Sequence, residues 1–229
     1  MRTELRIVAA VGSLPVIEAV GGLAARRTAP DTVHMIGTAA TPLGGDELDI
    51  RIVVGDGARL TVRSVAATIA LPSVATPLSV AHWHFEVGED AVLDFDPEPT
   101  IVAGGARHHA RTTVRLGAGA RVRIRERIQI GRSGEESGEW RGDLVADLGA
   151  VPLLRHRLHL GGLAVTDDAI SAPRALDSEF VYPDDRPAEV DGLDGVLLPL
   201  AAGGSLFTHI GRTLRAEGPA SASAAVVPV

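Results

Sequence analysis

The chain of 229 residues contains no cysteine. That absence removes disulfides, thiolate zinc sites, iron–sulfur clusters and cysteine nucleophiles together. Lysine is missing as well, since all 22 basic residues are arginine. A P-loop, a Schiff-base lysine and pyridoxal chemistry are thereby excluded. Aromatic residues make up only 3%, so a core must be assembled from Val, Leu, Ile and Ala. Positive charge is in deficit: a formal net charge of −7 argues against nucleic acid as a partner, which needs a positive field. Long apolar runs are lacking too. The stretch from Ile7 to Ala25 is broken by Pro15 and Glu18, whereas a membrane span needs about 20 uninterrupted apolar residues. Glu4 in the would-be basic region and the lack of a small-residue cleavage site speak against a secretory leader. The cytoplasm is the expected location, with no membrane partner.

What is present is 45% apolar and 22% charged, the balance of one ordinary domain that buries a core. Three segments share a pattern. Ile52–Val62, Phe85–Phe95 and Val114–Ile124 each read as strand, a Gly-x-Gly/Asp-Ala turn, and strand. Their first turn glycines are Gly55, Gly88 and Gly117, about 30 residues apart, a spacing typical of stacked repeats. Apolar residues alternate with polar ones on both sides of each turn, as in Leu48, Ile50, Ile52 and Val54, a period of two that specifies strand. Leu144–Leu148 and Pro152–Leu160 read as a pair around Gly149-Ala150, and Leu5–Val11 and Val33–Ile36 as short strands. Only Gly204–Ala216 suggests helix, from Leu206, Ile210 and Leu214 at i, i+4, i+8. The expected fold is all-β, a β-helix-like stack of hairpins with a small amount of C-terminal helix. It forms a single domain over 1–216, and the Ala/Ser/Pro-rich stretch 217–229 is expected to be a disordered tail.

Few residues carry obvious chemistry. Arg121, Arg123, Arg125 and Arg127 project from one strand face. They fit either a phosphate or acidic-partner track, or cross-strand pairing with Glu86, Asp94 and Asp96. His82 and His84 share a strand face at a metal-ligand spacing but lack a third ligand or any Cys. His108-His109 point oppositely in a strand and make a poorer pair. More informative are Glu126, between Ile124 and Ile128, and His156, between Leu154 and Leu158, each breaking an inward apolar face. An unpaired buried carboxylate is costly, so these are either satisfied core polar groups or the lining of a polar interior passage, and the pattern leaves both open. No Gly-x-Ser-x-Gly occurs, and no pair of carboxylates is placed by spacing. The residues do not describe an enzyme.

Several motifs follow one another in order along the chain. Gly44-Gly45-Asp46 precedes the first repeat and its Gly55. Pro97-Glu98-Pro99-Thr100-Ile101 is followed by Gly105-Ala106-Arg107. The third repeat begins at Gly117, and Gly131-Arg132 is followed by Gly138-Glu139. This ordered set resembles the urease accessory protein UreD (UreH) family, and the resemblance covers about 5–165 continuously and 166–215 loosely. It implies a β-helical fold and a non-catalytic chaperone that scaffolds apo-urease with UreF and, through UreF, UreG. It further implies passage of Ni²⁺ to the urease active site, the ion being in transit and no cofactor tightly bound. On that resemblance Asp46, Thr68, Glu126 and His156 lie on the nickel route, and no tight metal site is predicted. His156 stands where relatives often carry Glu, which leaves Ni²⁺ a nitrogen donor in place of oxygen. The family's Lys and Tyr after Thr68 are replaced here by Ile69 and Leu71. Two rivals come from other classes. A β-helical carbohydrate-active enzyme would need exposed aromatics for sugar stacking, and an Arg-rich binding module would use the arginine strand on an acidic partner.

Overall fold

Alternation of apolar and polar residues commits most of the chain to strand, and the described residues contain no helix. The computed structural model describes residues 1–162 and 172–215. In chain order the strands are β1 (Arg2–Ala9), β2 (Val16–Val20), β3 (Leu23–Ala29), β4 (Thr32–Gly37), β5 (Glu47–Val54), β6 (Arg59–Ser64), β7 (Thr68–Ala70), β8 (Leu78–Val87) and β9 (Val92–Phe95). The second half contributes β10 (Thr100–Val102), β11 (Arg107–Leu116), β12 (Arg121–Ile130), β13 (Glu139–Leu148), β14 (Val151–Gly161), β15 (Ala175–Tyr182), β16 (Glu189–Asp191), β17 (Gly195–Pro199) and β18 (Ser205–Gly211).

They form two sheets. The seven-stranded sheet runs β14-β13-β11-β8-β5-β1-β2, and the eleven-stranded sheet β16-β17-β18-β15-β12-β9-β6-β4-β3, with β7 and β10 branching from β12. Within each sheet the middle strands are parallel and in register, as in β5 with β8 and β8 with β11, or β6 with β9 and β9 with β12. Antiparallel strands close the stack, β1 with β2 and β13 with β14 on one side, β3 with β4 and β12 with β15 on the other. The stack is therefore a β-solenoid whose units bury a shared core that no unit could bury alone.

The repeated Gly turns act differently from hairpin turns. β5 pairs with β1 and β8, whereas β6 pairs with β4 and β9, so the turn between them hands the chain from one sheet to the other. Each unit is an arch, and its hydrogen bonds go to the units above and below. The turn backbones also stack: Gly88 N–H donates to Val54 O at 2.8 Å and Gly117 N–H to Val87 O at 2.8 Å. At Gly88 and Gly117 a Cβ would overlap the turn beneath, Asp56 and Glu89 respectively. The third turn position needs a positive φ, taken by Gly57 (67°), Asp90 (52°) and Gly119 (69°), which explains why Asp can stand in for Gly there.

The expected C-terminal helix is corrected by the structure. Ser205–Gly211 is a strand, with Leu206 beside Phe180 and Ile210 beside Leu176. An i, i+4 pair lies on one face of a strand as well as of a helix, so that spacing could not separate the two. The proposed tail, 217–229, lies outside the described residues.

The core has two parts. One gathers Ile7, Ile50, Ile52, Leu60, Phe85, Leu93, Val114 and Ile124 among others, and the second is built around Val102, Ile128, Ile130, Trp140, Leu160 and Leu176. In the first, the Phe85 and Phe95 rings meet edge to face with centroids 4.9 Å apart.

Candidate functional site

The two cores do not merge. Between them lies a cavity of about 500 Å³, walled by Phe95, Ile124 and Phe180 from one core and by Ile128, Trp140 and Leu176 from the other. It opens through the eleven-stranded sheet. Three coils of that sheet break at one height: β6 stops at Ser64 and resumes as β7 at Thr68, and β9 stops at Phe95 and resumes as β10 at Thr100. β4 stops at Gly37, and its coil regains pairing only at Leu43 against Leu71. β12 runs through unbroken, with Ile124 beside Phe95 and Ile128 beside Thr100, so the gap faces Arg125–Arg127. The prolines at 97 and 99 have no N–H to donate to a ladder, which accounts for one of the breaks. Val65, Ala66, Ala67, Pro97 and Glu98 line the cavity at this split, and Val65 and Ile69 are exposed there.

The rim is held in place by polar contacts. Arg127 Nη2 donates to Pro97 O at 2.7 Å and to Asp96 Oδ1 at 3.2 Å. Glu98 N–H donates to Ser64 Oγ at 2.8 Å, and Thr68 N–H to Pro99 O at 2.9 Å. The arginine strand is thus a structural lattice. Arg123 reaches Asp94, Asp96 and Glu179, and Arg125 reaches Asp177 at 2.7 Å. Asp94 and Asp96 were readable from the sequence. Asp177 and Glu179 arrive from β15, some 50 residues away, and Glu86 instead lies beside Arg115 in the other sheet. With Arg123, Arg125 and Arg127 committed to carboxylates, the arginine-track reading loses three of its four cations. The sugar-stacking reading finds no platform either: Trp140 is buried, and Trp83 and Tyr182 pack against the first core.

Glu126 projects inward from β12 with no hydrogen-bond or ion-pair partner among the described residues, and it lines the cavity at the height of the split. Burial pushes its carboxyl up to about 7. Counting back from the Leu116–Arg121 turn, inward residues face each other across the sandwich: Val114 meets Ile124, Thr112 meets Glu126, Ala110 meets Ile128, and His108 meets Ile130. The level of Glu126 therefore holds Thr112 and, along the seven-stranded register, Leu144 and His156, with Ser178 alongside on β15. His156 also lines the cavity, and burial pulls its pKa below the ordinary value. Thr68, on the edge of the split, lines it as well. Three of the four residues expected on the route thus share one space.

Asp46 is placed differently. It is 6% exposed and is absent from the cavity wall. Its carboxylate accepts from the Met1 amino nitrogen at 2.5 Å, Leu43 N–H at 2.8 Å and Thr41 Oγ1 at 3.0 Å. Burial alone would raise its pKa, but those hydrogen bonds outweigh it and hold the carboxyl below its usual value. Asp46 anchors the turn that carries Thr41, and Thr41 itself lines the cavity.

The other motif residues shape the surroundings. Gly44 has no room for a Cβ against Thr76, Gly45 and Gly105 adopt positive φ, and Gly55 packs on Ala9. Gly131 and Gly138 have positive φ at the two ends of a loop in which Arg132 clamps Glu135. Arg107 holds Glu139 with two hydrogen bonds, 2.8 and 3.2 Å. His82 and His84 stack ring on ring, centroids 6.4 Å apart, on the outer side of the sheet. Among the described residues no set of three or more His, Cys, Asp and Glu is placed to hold a metal ion, and no helix is long and apolar enough to cross a membrane.

Sequence reasoning missed one cavity group. His108 is 5% exposed and forms part of the wall. Its parity with Ala110, Thr112 and Val114 was the available signal, hidden by reading His108-His109 only as a pair.

Comparison with known proteins gives a consistent picture. The family described as UreD urease accessory protein matches residues 14–182. "Urease accessory protein UreD 1" of Saccharopolyspora erythraea is 38% identical over 192 residues, 82% of this chain and 75% of its own. "Urease accessory protein UreD" of Frankia casuarinae is 37% identical over 84% of this chain and 72% of its own. The Parafrankia sp. protein of that name reaches 46% identity over 62% of this chain, but the match spans under half of its length, 44%. A family match over most of the solenoid, together with relatives well above 30% identity over four fifths of the sequence, settles the affiliation: this chain belongs to the UreD urease accessory protein family.

Proposed function

We propose that the chain is a non-catalytic scaffold in urease maturation, which binds apo-urease and UreF, engages UreG through UreF, and passes Ni²⁺ toward the urease active site through the cavity. An accessory role in urease maturation, without an activity of its own, follows from the family. The observation that carries the finer reading is Glu126, an inward carboxyl without a partner, standing at the height where the sheet wall is split. A buried carboxyl left unpaired is costly, and proteins retain such groups at functional sites. Nickel here is cargo, and passage suits weak oxygen and nitrogen donors spread along a path better than a closed cage, since N/O sites already bind Ni²⁺ strongly. Glu126, His156 and Thr68 supply such donors, and Asp46 acts behind the wall by holding the Thr41 turn. Cytoplasmic location accords with this role.

The test is coexpression of the chain with urease subunits, UreF and UreG at limiting nickel. Glu126→Gln is expected to copurify with the same partners and to lower urease activation, with recovery as nickel is raised. Normal activation at limiting nickel would remove Glu126 from the route, and failure of the wild-type chain to copurify with UreF and urease would remove the scaffold role.

A further inference from the structure

The cavity extends past the level of the split, and its wall there includes His108. This imidazole comes from β11, two inward positions beyond Thr112, so it lies about 13 Å along the strand from the level of Glu126 and His156. Its Nδ1 is 3.0 Å from Ser79 Oγ, and Ser79 is itself 1% exposed. Nε2 has no hydrogen-bond partner among the described residues, yet it is not one of the atoms sealed off from all space. The ring is part of the cavity wall, so the open nitrogen belongs to the cavity. A buried imidazole fixed through one nitrogen and unsatisfied at the other is the arrangement in which histidine serves as a metal donor, the group bonded to the fixed nitrogen setting the ring orientation. Burial and the neighbouring His109 pull the pKa of His108 down to about 4, which keeps the ring neutral at cellular pH. With Nδ1–H donating to Ser79 Oγ, whose own proton turns to Arg107 O at 3.5 Å, the lone pair falls on Nε2.

We propose that His108 is a further nitrogen donor to a divalent cation inside the cavity, beyond Glu126 and His156, with Ser79 as its positioning partner. The assignment rests on the metal-passage reading given above and extends the path from the split to the opposite end of the second core. The surroundings fit a relay step and not a storage site. His108 sits beside Trp140 in register and opposite Ile130, so no second charged ligand is at hand to close a cage. The ion would be held by one protein nitrogen and its own water, which is weak enough to let go.

The experiment uses the full chain, with Ni²⁺ itself as the probe and histidines labelled with ¹⁵N. The His108→Leu variant assigns the His108 ring signals and removes the donor, and Ser79→Ala loosens its orientation. Substoichiometric paramagnetic Ni²⁺ is expected to broaden the His108 Nε2 signal in wild type. His108→Leu should weaken Ni²⁺ binding about tenfold and Ser79→Ala by a similar factor, at the low end of the roughly 10–100-fold loss that follows removal of a metal ligand's hydrogen-bond partner. Unfolding midpoints of the metal-free variants separate loss of packing from loss of a ligand, and His108→Gln, which keeps a hydrogen-bonding side chain, is expected to retain the fold and still lose the nitrogen signature. If Ni²⁺ leaves the His108 signal sharp while Glu126→Gln still alters Ni²⁺ binding, His108 is not a donor and the passage reading stands. If neither change affects Ni²⁺ binding, both fail together.

Discussion

Replacing Glu126 by Gln should change the stability of the protein in a way that depends on pH, because the carboxyl titrates near 7 in the folded chain and near 4.5 when unfolded. A group whose folded pKa is raised favours the folded state only while it is protonated. Its contribution is full below 4.5 and is lost as pH rises through 7. The separation between those two values corresponds to about 3 kcal/mol at most, and water in an open cavity would screen part of it, leaving about 1–3 kcal/mol. Gln has nothing to ionise, so the metal-free variant should gain on wild type by roughly 2 kcal/mol between pH 5 and pH 8. At roughly 2–4 °C per kcal/mol for a chain of this size, the shift is readable in thermal melts as well as in urea titrations. His108 moves the wild-type curve the opposite way. Its folded pKa of about 4 lies below the ordinary 6.5, so its contribution is present above 6.5 and is lost as pH falls toward 4. The difference between variant and wild type cancels that effect. A difference that stays constant from pH 5 to 8, or that shrinks, would mean that Glu126 is paired or fully hydrated and would undo the argument for a carboxyl held in reserve.

Three further outcomes follow from the packing. Asp46→Asn should cost about 1–3 kcal/mol in urea unfolding, because the turn donors of Leu43 and Thr41 lose a charged acceptor, and an unchanged midpoint would show that the turn does not depend on it. Gly142→Val would drive a side chain into the Trp140 ring, which already lies against Gly142. Overpacking of this kind costs about 1–3 kcal/mol and should red-shift Trp fluorescence, whereas a native spectrum and midpoint would refute the placement of that ring. Asp96→Ala removes the carboxylate shared by Arg123, Arg125 and Arg127, so hydrogen exchange should accelerate at 96–99 and 65–67 in preference to the parallel core strands, and uniform exchange would argue that the lattice does not hold the split.

The architecture was largely legible because a solenoid writes itself locally. Each inward residue predicted from alternation, from Leu48 to Val54 and from Val114 to Ile130, is buried except Glu126, the residue that the pattern had already singled out. The connectivity was less legible. A Gly-x-Gly-Ala turn between apolar strands has the same signature whether the chain folds back in one sheet or crosses to another, and only the repeat spacing of about 30 residues hinted at the parallel stacking. Ser205–Gly211 was misread because Leu206 and Ile210 satisfy both periods. At the site, Glu126 and His156 stood out as polar interruptions, but that they share one level depends on register across β11, β13 and β14, which no local pattern contains. Asp46 shows the converse limit: a motif marks a position that matters without saying whether its carboxylate faces a ligand or its own turn.

The split in the sheet wall connects these observations to the role. A complete solenoid would satisfy every ladder in the eleven-stranded sheet and bury Glu126 against a closed wall, a placement too costly for an unpaired carboxyl. Interrupting three neighbouring coils at one height gives up several backbone hydrogen bonds, and the protein offsets that locally with the Arg127 and Ser64 contacts to the 96–99 segment. The same interruption opens the cavity to solvent where the carboxyl stands. The two features are therefore coupled: the carboxyl tolerates its position because the wall is open beside it, and the passage proposed above uses that opening. Sealing the gap is the decisive perturbation. Paired Ala66→Cys and Glu98→Cys substitutions on the two neighbouring interrupted segments that line the cavity there, in a chain with no other cysteine, should leave copurification with partners intact and block urease activation when oxidised, with recovery on reduction. Full activation with the crosslink formed would show that whatever reaches Glu126 does not come through this wall.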